Sequence, residues 1–286
     1  MINERILELQ GVQLRIMDDI HRVCVELGLR YYLIGGSAIG AVRHNGIIPW
    51  DIDIDIAMPR KDYEKFIALG KNKLKSEFTI HDYRTDKNFG TFHALVVLKK
   101  SEMRFKFDKD SDKQNRFGIF VDILPLDQWP ENKMYKNILI KEHNLVKLIR
   151  VLRQGDRMHL GNLFKRFVKV SAYYILRATI SVYCINKWEQ NVISRCNTSD
   201  EGKIWCSKLS HYSLDKLTMP KEYFGVPILH PFSGRKYYVP EQVDKYLTHL
   251  FGDYMKLPPK NQRYILIEQL EKVSWYDENG NYNEIS

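Results

Sequence analysis

The segment "GGSAIGAVRHNGIIPWDIDIDIAMPR", Gly35 to Arg60, sets the tightest limit on how this chain can fold. Within it Asp51, Asp53 and Asp55 alternate with Ile52, Ile54 and Ile56. Side chains alternate across a strand. An extended Trp50–Ala57 therefore puts the three carboxylates on one face and the three isoleucines on the other. The isoleucine face demands a core. The carboxylate face is a row of like charges, which repel one another unless a cation sits between them. A solvated edge strand is the plain alternative, but the apolar face opposite marks a strand buried on one side.

Hard divalent cations such as Mg²⁺ take oxygen ligands, commonly one or two carboxylates plus substrate phosphates. Carboxylates at alternate positions of one strand can clamp metal ions for phosphoryl transfer. A glycine turn at a helix start offers backbone N–H groups to an anion. Gly35-Gly36-Ser37 supplies such a turn, upstream of the aspartate strand. A third carboxylate is available in "FVDILPLD", where alternation sets Phe120, Asp122 and Leu124 on one face. A lone aspartate among apolar residues calls for a metal or cationic partner, which makes Asp122 the candidate. Asp127 reads instead as a cap or turn residue.

Around this unit the pattern alternates between helix and strand. Glu4 to Leu27 carries apolar residues at helical spacing, including Ile6, Leu9, Ile16, Ile20 and Val23, with Gly28 as a stop. "RYYLIGG" reads as a short buried strand, Ser37–His44 as a short helix, and "MPRKDYEKFIALGKNKL" as a helix with Pro59 near its first turn. "FTIHDY", "FHALVVLKK" and "EMRFKF" are strand candidates, and "DKDSDKQN" is a polar loop. "FGIFVDILPLD" is a further strand, ended by Pro125. From Lys133 to Trp188 the pattern is helical, followed by short strands, prolines and a final helix.

At 286 residues the chain is long enough for one large domain or two intimate ones. Its formal charge of +9 is concentrated: residues 132–187 hold twelve Lys and Arg against only Glu142 and Asp156. Such a patch suits an anionic partner, whether phosphate polymer, anionic lipid or nucleic acid. The apolar stretch "LFKRFVKVSAYYILRATISVYCINKW" is broken by Lys165, Arg166, Lys169 and Arg177, which makes it a poor membrane span. A buried helix and a helix lying in a membrane interface both remain open. Cys24, Cys184, Cys196 and Cys206 fit no metal-ligand spacing and read as reduced thiols of a cytoplasmic protein. "MINERILELQ" lacks the marks of a signal peptide.

The glycine turn and Asp-x-Asp strand, with a later carboxylate, resemble the nucleotidyltransferase-fold superfamily. "IGGSAIGAVRHNGIIPWDIDIDIAMPRKDYEKF" resembles more specifically the signature of the LicD family of phosphotransferases, which includes bacterial phosphocholine transferases and fukutin-related proteins. "FVDILPLD" and "YLTHLFGDYMKLPPKNQR" match two further signatures of that family. The resemblance implies an α/β (α+β) fold: a nucleotidyltransferase-like mixed sheet flanked by helices, with a basic helical insertion and a C-terminal segment returning to the core. It divides the chain into a catalytic core at 1–130, a basic helical region at 131–200 and a completing segment at 201–286. It further implies Mg²⁺-dependent transfer, with Mn²⁺ as second candidate, of a phospho-alcohol from a CDP-alcohol to a sugar hydroxyl of a surface glycan precursor, releasing CMP. The acceptor class spans teichoic acid and lipopolysaccharide precursors, including lipid-linked ones. CDP-choline leads as donor; CDP-ribitol and CDP-glycerol are the alternatives.

Carried onto this sequence, Asp53 and Asp55 are metal ligands, Asp122 is third ligand or general base, and Asp51 supports them. Gly35, Gly36, Ser37, Arg43, His44 and Arg60 form the phosphate- and substrate-binding set. Arg43 suits a donor phosphate, with an ion pair to a strand carboxylate as the other reading. The family commonly carries Asp at the second position of the Asp row, where this chain has Ile52. Alternation turns that position away from the other aspartates, so the metal clamp survives. Tyr31, Tyr32 and many other aromatics are candidate walls of a quaternary-ammonium cage, and the sequence does not single out which. Two rival functions stand beside transfer: a nucleotidyltransferase that releases pyrophosphate, and a basic module for membrane or nucleic acid that leaves the aspartate row without a purpose. The expected site of action is cytoplasmic, peripheral at the inner membrane face.

Overall fold

A computed structural model describes residues 2–106, 118–155, 163–197, 202–207, 212–277 and 279–285. The polar loop expected at "DKDSDKQN" lies outside them. Helix α1 (Ile2–Leu27) ends where Gly28 takes φ +63 and Leu29 N–H reaches back to the Cys24 carbonyl. This is the left-handed C-terminal stop that glycine permits without penalty. After strand β1 (Tyr32–Leu33) comes α2 (Gly35–Ile39), which runs into a π-helical turn over Gly40–His44. The chain then forms β2 (Asp55–Pro59), α3 (Arg60–Gly70), β3 (Phe78–His81), β4 (Ala94–Leu98), β5 (Glu102–Phe105) and β6 (Phe120–Gln128).

Three helices follow, α4 (Lys133–Gln154), α5 (Leu163–Thr179) and α6 (Val182–Ser194). The chain returns through β7 (Ile204–Ser207), α7 (Leu214–Leu217), β8 (Thr218–Pro220) and the hairpin β9 (Ile228–Phe232)–β10 (Arg235–Val239). It finishes with α8 (Val243–Phe251), α9 (Ile265–Glu268), β11 (Leu270–Tyr276) and β12 (Tyr282–Ile285). The main sheet runs β1–β2–β6–β4–β3, with β7 on β6 and β8 beyond it. Only the β2–β6 pair is parallel among these, so the sheet is mixed.

Alternation along β2 and β6 divides two cores. Ile52, Ile54, Ile56, Val121 and Ile123 pack with Ile16, Met17 and Ile20 of α1 and Tyr63 and Phe66 of α3. Ala57, Leu124 and Leu126 pack on the other face with Leu139 of α4, Val192 of α6, and Tyr246 and Leu250 of α8. Each buried Ile contributes roughly 1.5–3 kcal/mol, so the isoleucine row locks the register of the aspartates. The C-terminal segment returns to this core: Ser233 N–H donates to the Asn45 carbonyl at 2.7 Å, and Tyr246 lies under the Gly35 turn.

Three expectations need correction here. The ladder begins at Asp55, not Trp50. Residues 48–51 form a turn, closed by the Asp51 N–H donating to the Ile48 carbonyl at 2.9 Å, and side chains of α1 satisfy the carbonyls of this stretch. Gln10 Nε2 donates to the Ile48 and Asp51 carbonyls at 3.1 and 2.9 Å, and Gln13 Nε2 to the Ile52 carbonyl at 2.6 Å. Pro125 does not end its strand. On one side β6 pairs with β4 through Phe120–Ile123 and with β7 from Leu126 onward, so Pro125 falls between the two ladders. A missing N–H costs little at such a gap. Finally, Tyr31 and Tyr32 build no cage. Both are fully buried; Tyr31 Oη meets His21 Nδ1 at 2.7 Å and Tyr32 Oη donates to the Gly225 carbonyl.

Candidate active site

The parallel register sets Asp55 beside Asp122, with both side chains on one face of the sheet. Asp53, two residues before Asp55, joins them. One carboxylate oxygen from each of Asp53, Asp55 and Asp122 lies within 4.8 Å of the others. The three groups are half-buried at the end of the sheet face that α8 and α6 cover further along. Asp51 reaches the same cluster, where its carboxyl shares a hydrogen bond with that of Asp53.

The glycine turn builds this cluster. Gly35 takes φ +56, and its N–H donates to Tyr246 Oη at 2.9 Å. A Cβ on Gly36 would sit 2.7 Å from Asp51 Oδ2, so the absent side chain is what lets Asp51 fold against the turn. Ser37 Oγ accepts the Asp55 N–H at 2.9 Å, and Ile34 N–H donates to the Asp55 carbonyl at 3.1 Å. Ser37 and Gly35 are thus committed to holding the strand and α8. The expected anion cradle is partly filled by the protein itself.

Electrostatics follow from the crowding. Burial, then the charges of Asp51, Asp55 and Asp122, push the Asp53 carboxyl well above the carboxylate range. Burial, then Asp122 and Asp51, does the same to Asp55. Burial raises Asp51 as well, partly offset by its bond to Asp53. A divalent cation between these oxygens reverses the penalty, because it replaces repulsion with attraction. The donor set, all carboxylate oxygen, is the chemistry of a hard cation. The residues present fit a metal.

His93, immediately before β4, was missed from the sequence. Its Nε2 lies 2.5 Å from Asp122 Oδ1, while its buried Nδ1 has no hydrogen-bond partner. The only local signal was a polar residue at the head of the apolar run "FHALVVL". Nothing there reveals that β4 lies against Asp122; the pairing of Leu95 with Asp122 does.

The cationic candidates are bonded to partners other than the acidic cluster. Arg43 Nη1 donates to the Tyr254 and Lys256 carbonyls at 2.7 and 3.3 Å, and its Nε donates to His44 Nε2 at 3.0 Å. The pair clamps the C-terminal loop. Burial and the Arg43 guanidinium hold the His44 imidazole below its ordinary pKa, so it stays a neutral acceptor, edge-on to Trp50. Arg60 does not flank the acidic cluster. It stands five residues beyond Asp55, about 16 Å along an extended strand. There it makes a bidentate pair with Asp127, 2.7 and 2.6 Å, and also bonds Gln190 and Glu64. Asp127 is accordingly neither cap nor turn; it is the buried partner of Arg60, and Asn197 donates to it as well.

Residues 28–151, which contain every member of the acidic cluster, match the family described as "LicD/FKTN/FKRP, nucleotidyltransferase domain". They are a LicD-family domain. The LicD resemblance extends past this domain. The lipopolysaccharide cholinephosphotransferase LicD of Haemophilus influenzae is 29% identical over 272 residues, covering 90% of this chain and 93% of that protein. The ribitol 5-phosphate transferase FKRP of Mus musculus is 54% identical over 152 residues, 50% of this chain and 27% of that protein. Both relatives are named for transfer of a phospho-alcohol. Among the described residues, no helix is long and apolar enough to cross a membrane.

Proposed function

We propose that this LicD-family protein transfers a phospho-alcohol from a CDP-alcohol to a sugar hydroxyl, with phosphocholine as the first candidate group. The observation that carries this reading is the convergence of Asp53, Asp55 and Asp122 within a LicD-family domain. The hydroxyl oxygen attacks the phosphorus that bears the alcohol, the bond from that phosphorus to the CMP oxygen breaks, and CMP leaves. Asp53, Asp55 and Asp122 would hold Mg²⁺, or Mn²⁺, with Asp51 steadying Asp53. A bound divalent ion supplies neutralisation of donor phosphate charge in the transition state. Asp122, with one oxygen fixed by His93, serves either as the third ligand or as the base that accepts the hydroxyl proton. Gly35, Gly36 and Ser37 position the aspartates, and Arg43 and His44 hold the 254–256 loop.

The catalytic unit in this reading is residues 1–130 completed by 201–286, with 131–200 as a basic helical region. The acceptor is a sugar hydroxyl of a surface glycan precursor, and the protein works at the cytoplasmic face of the membrane as a peripheral enzyme. A nucleotidyltransferase would use the same carboxylates but attack the α-phosphorus of a nucleoside triphosphate. The two reactions separate by product. Purified protein incubated with CDP-choline, CDP-ribitol, CDP-glycerol or CDP-ethanolamine and a glycan acceptor should release CMP from at least one donor. Pyrophosphate release from CTP, with no CMP from any of the four, would overturn the proposal in favour of nucleotidyl transfer.

A further inference from the structure

The apolar stretch at 163–188 divides between α5 and the start of α6: Val182, Ile185 and Asn186 of α6 are buried, and no described side chain of α5 is. The apolar residues of α5 nevertheless form one stripe. Phe164, Phe167, Val168, Tyr174 and Ile175 follow helical spacing and are all exposed, Phe164 at 74% and Tyr174 at 67%. The partly buried positions are Lys169, Ser171, Ala172, Tyr173 and Leu176; all but Ser171 lie on the other side of the helix, and α5 packs on α4. The helix thus turns its apolar face to solvent and its mixed face to the protein, the reverse of an ordinary surface helix.

Cations border the stripe. Lys165 projects on one flank, and Arg166 and Arg177 on the other, where Arg177 also stacks over Tyr173 at 5.2 Å. Helix α4 repeats the pattern with Met134, Ile138, Leu145 and Leu148, spaced along one of its own faces and exposed. Contiguous exposed apolar surface on a soluble domain marks an interaction site. Its rim of positive charge selects the occupant. A second copy of the chain seated on the stripe would bring two sets of like cations together. A folded nucleic acid would satisfy the cations but leave the phenylalanines in water. An anionic bilayer satisfies both, with rings at acyl-chain depth and guanidinium groups at the phosphates.

We propose that the outward face of α5 docks this protein on an anionic lipid bilayer, lying in the interface rather than spanning it. The proposal rests on the peripheral location put forward above and supplies the surface for it; it does not depend on which donor is used. Each cation near an anionic surface strengthens binding about fivefold, an effect that salt screens within roughly 8 Å at physiological ionic strength.

The test is co-sedimentation of the full chain with vesicles of phosphatidylglycerol and phosphatidylcholine, compared with phosphatidylcholine alone. We expect binding to the anionic vesicles at low salt, weakened at least tenfold without the anionic lipid. Arg166→Gln/Arg177→Gln should weaken it about 25-fold, and Phe164→Ser/Phe167→Ser at least tenfold. All four positions are exposed, so unchanged melting curves will show that the variants fold. Hydrogen exchange on bound wild-type protein should slow in 163–179. Absence of vesicle binding at low salt, equal binding by wild type and both variants, or protection confined to other segments would each overturn the proposal. Because no donor or acceptor enters the assay, its failure leaves CMP release untouched, and a failed CMP assay leaves the docking result untouched.

Discussion

Replacing Asp53 with Asn should stabilise the metal-free protein and cancel most of its response to Mg²⁺. With the ligand oxygens within 4.8 Å of one another, each ionised pair repels by ~3.5 kcal/mol at an effective dielectric constant of about 20. Three ionised groups make three such pairs, about 10 kcal/mol, comparable with the whole stability of a domain. Metal-free protein therefore relieves the strain by taking up protons, as the raised pKa values of Asp53 and Asp55 indicate. The sign follows from linkage. A carboxyl whose folded pKa lies above its unfolded value binds more protons when folded, so stability falls as pH rises from about 4 toward the folded pKa. The new amide removes two of the three repelling pairs and can donate to Asp51. We expect a gain of about 1–3 kcal/mol at pH 8, a rise in Tm of roughly 2–12 °C at about 2–4 °C per kcal/mol. The gain should shrink near pH 4, where wild type is already neutralised. Mg²⁺ should raise the Tm of wild type and move the variant far less. The assay is differential scanning fluorimetry in chelated buffer, with and without Mg²⁺, across that pH range. A variant that melts below wild type at pH 8 while remaining folded, or that responds to Mg²⁺ as wild type does, would refute the reasoning.

Ile52→Asp should destabilise by about 3–6 kcal/mol, adding a lost aliphatic side chain to a buried unpaired carboxyl, because Ile52 is only 4% exposed; urea melts check this, and unchanged stability with tighter metal binding would mean the strand faces are reversed. Arg60→Gln should cost about 3–5 kcal/mol by stranding Asp127, with the surviving folded fraction retaining its donor KM; a large KM increase at unchanged stability would return Arg60 to the substrate site. His93→Ala should lower kcat about 10–100-fold with little change in KM, since His93 acts through Asp122, and His93→Asn should recover part of the loss; an effect confined to KM would place His93 against substrate instead.

Local pattern carried the sequence reading furthest where one short segment held all the information. Asp53 and Asp55 were legible because alternation with isoleucine is a property of neighbours, and Gly28 because a helix stop needs one residue. Asp122 was legible as a lone charge in an apolar strand. The partners chosen across the sheet were not. His93 reaches Asp122 only because β4 and β6 pair, and Asp127 finds Arg60 because β2 and β6 run parallel. The start of β2 was misplaced for a related reason. Gln10 and Gln13 of α1 donate their amides to the carbonyls of Ile48, Asp51 and Ile52 and hold that stretch in a turn ahead of the ladder. Pro125 misled because its effect depends on which strand lies alongside it. In α5 the apolar periodicity was visible, but periodicity is silent about whether a stripe faces protein or solvent.

The central claim is that the carboxylates of β2 and β6 drive release of CMP from a CDP-alcohol. Its most direct measurement is CMP release by wild type and Asp55→Asn on the preferred donor in Mg²⁺, alongside melting curves for both proteins. Asp55 sits in the ladder with its N–H held by Ser37, so the isosteric amide should leave the backbone in place. We expect the variant to fold and to lose at least about 10²–10³-fold in turnover, the scale on which removal of one preorganised electrostatic contact acts. A folded Asp55→Asn protein that releases CMP within a few-fold of wild type would contradict the assignment of the site.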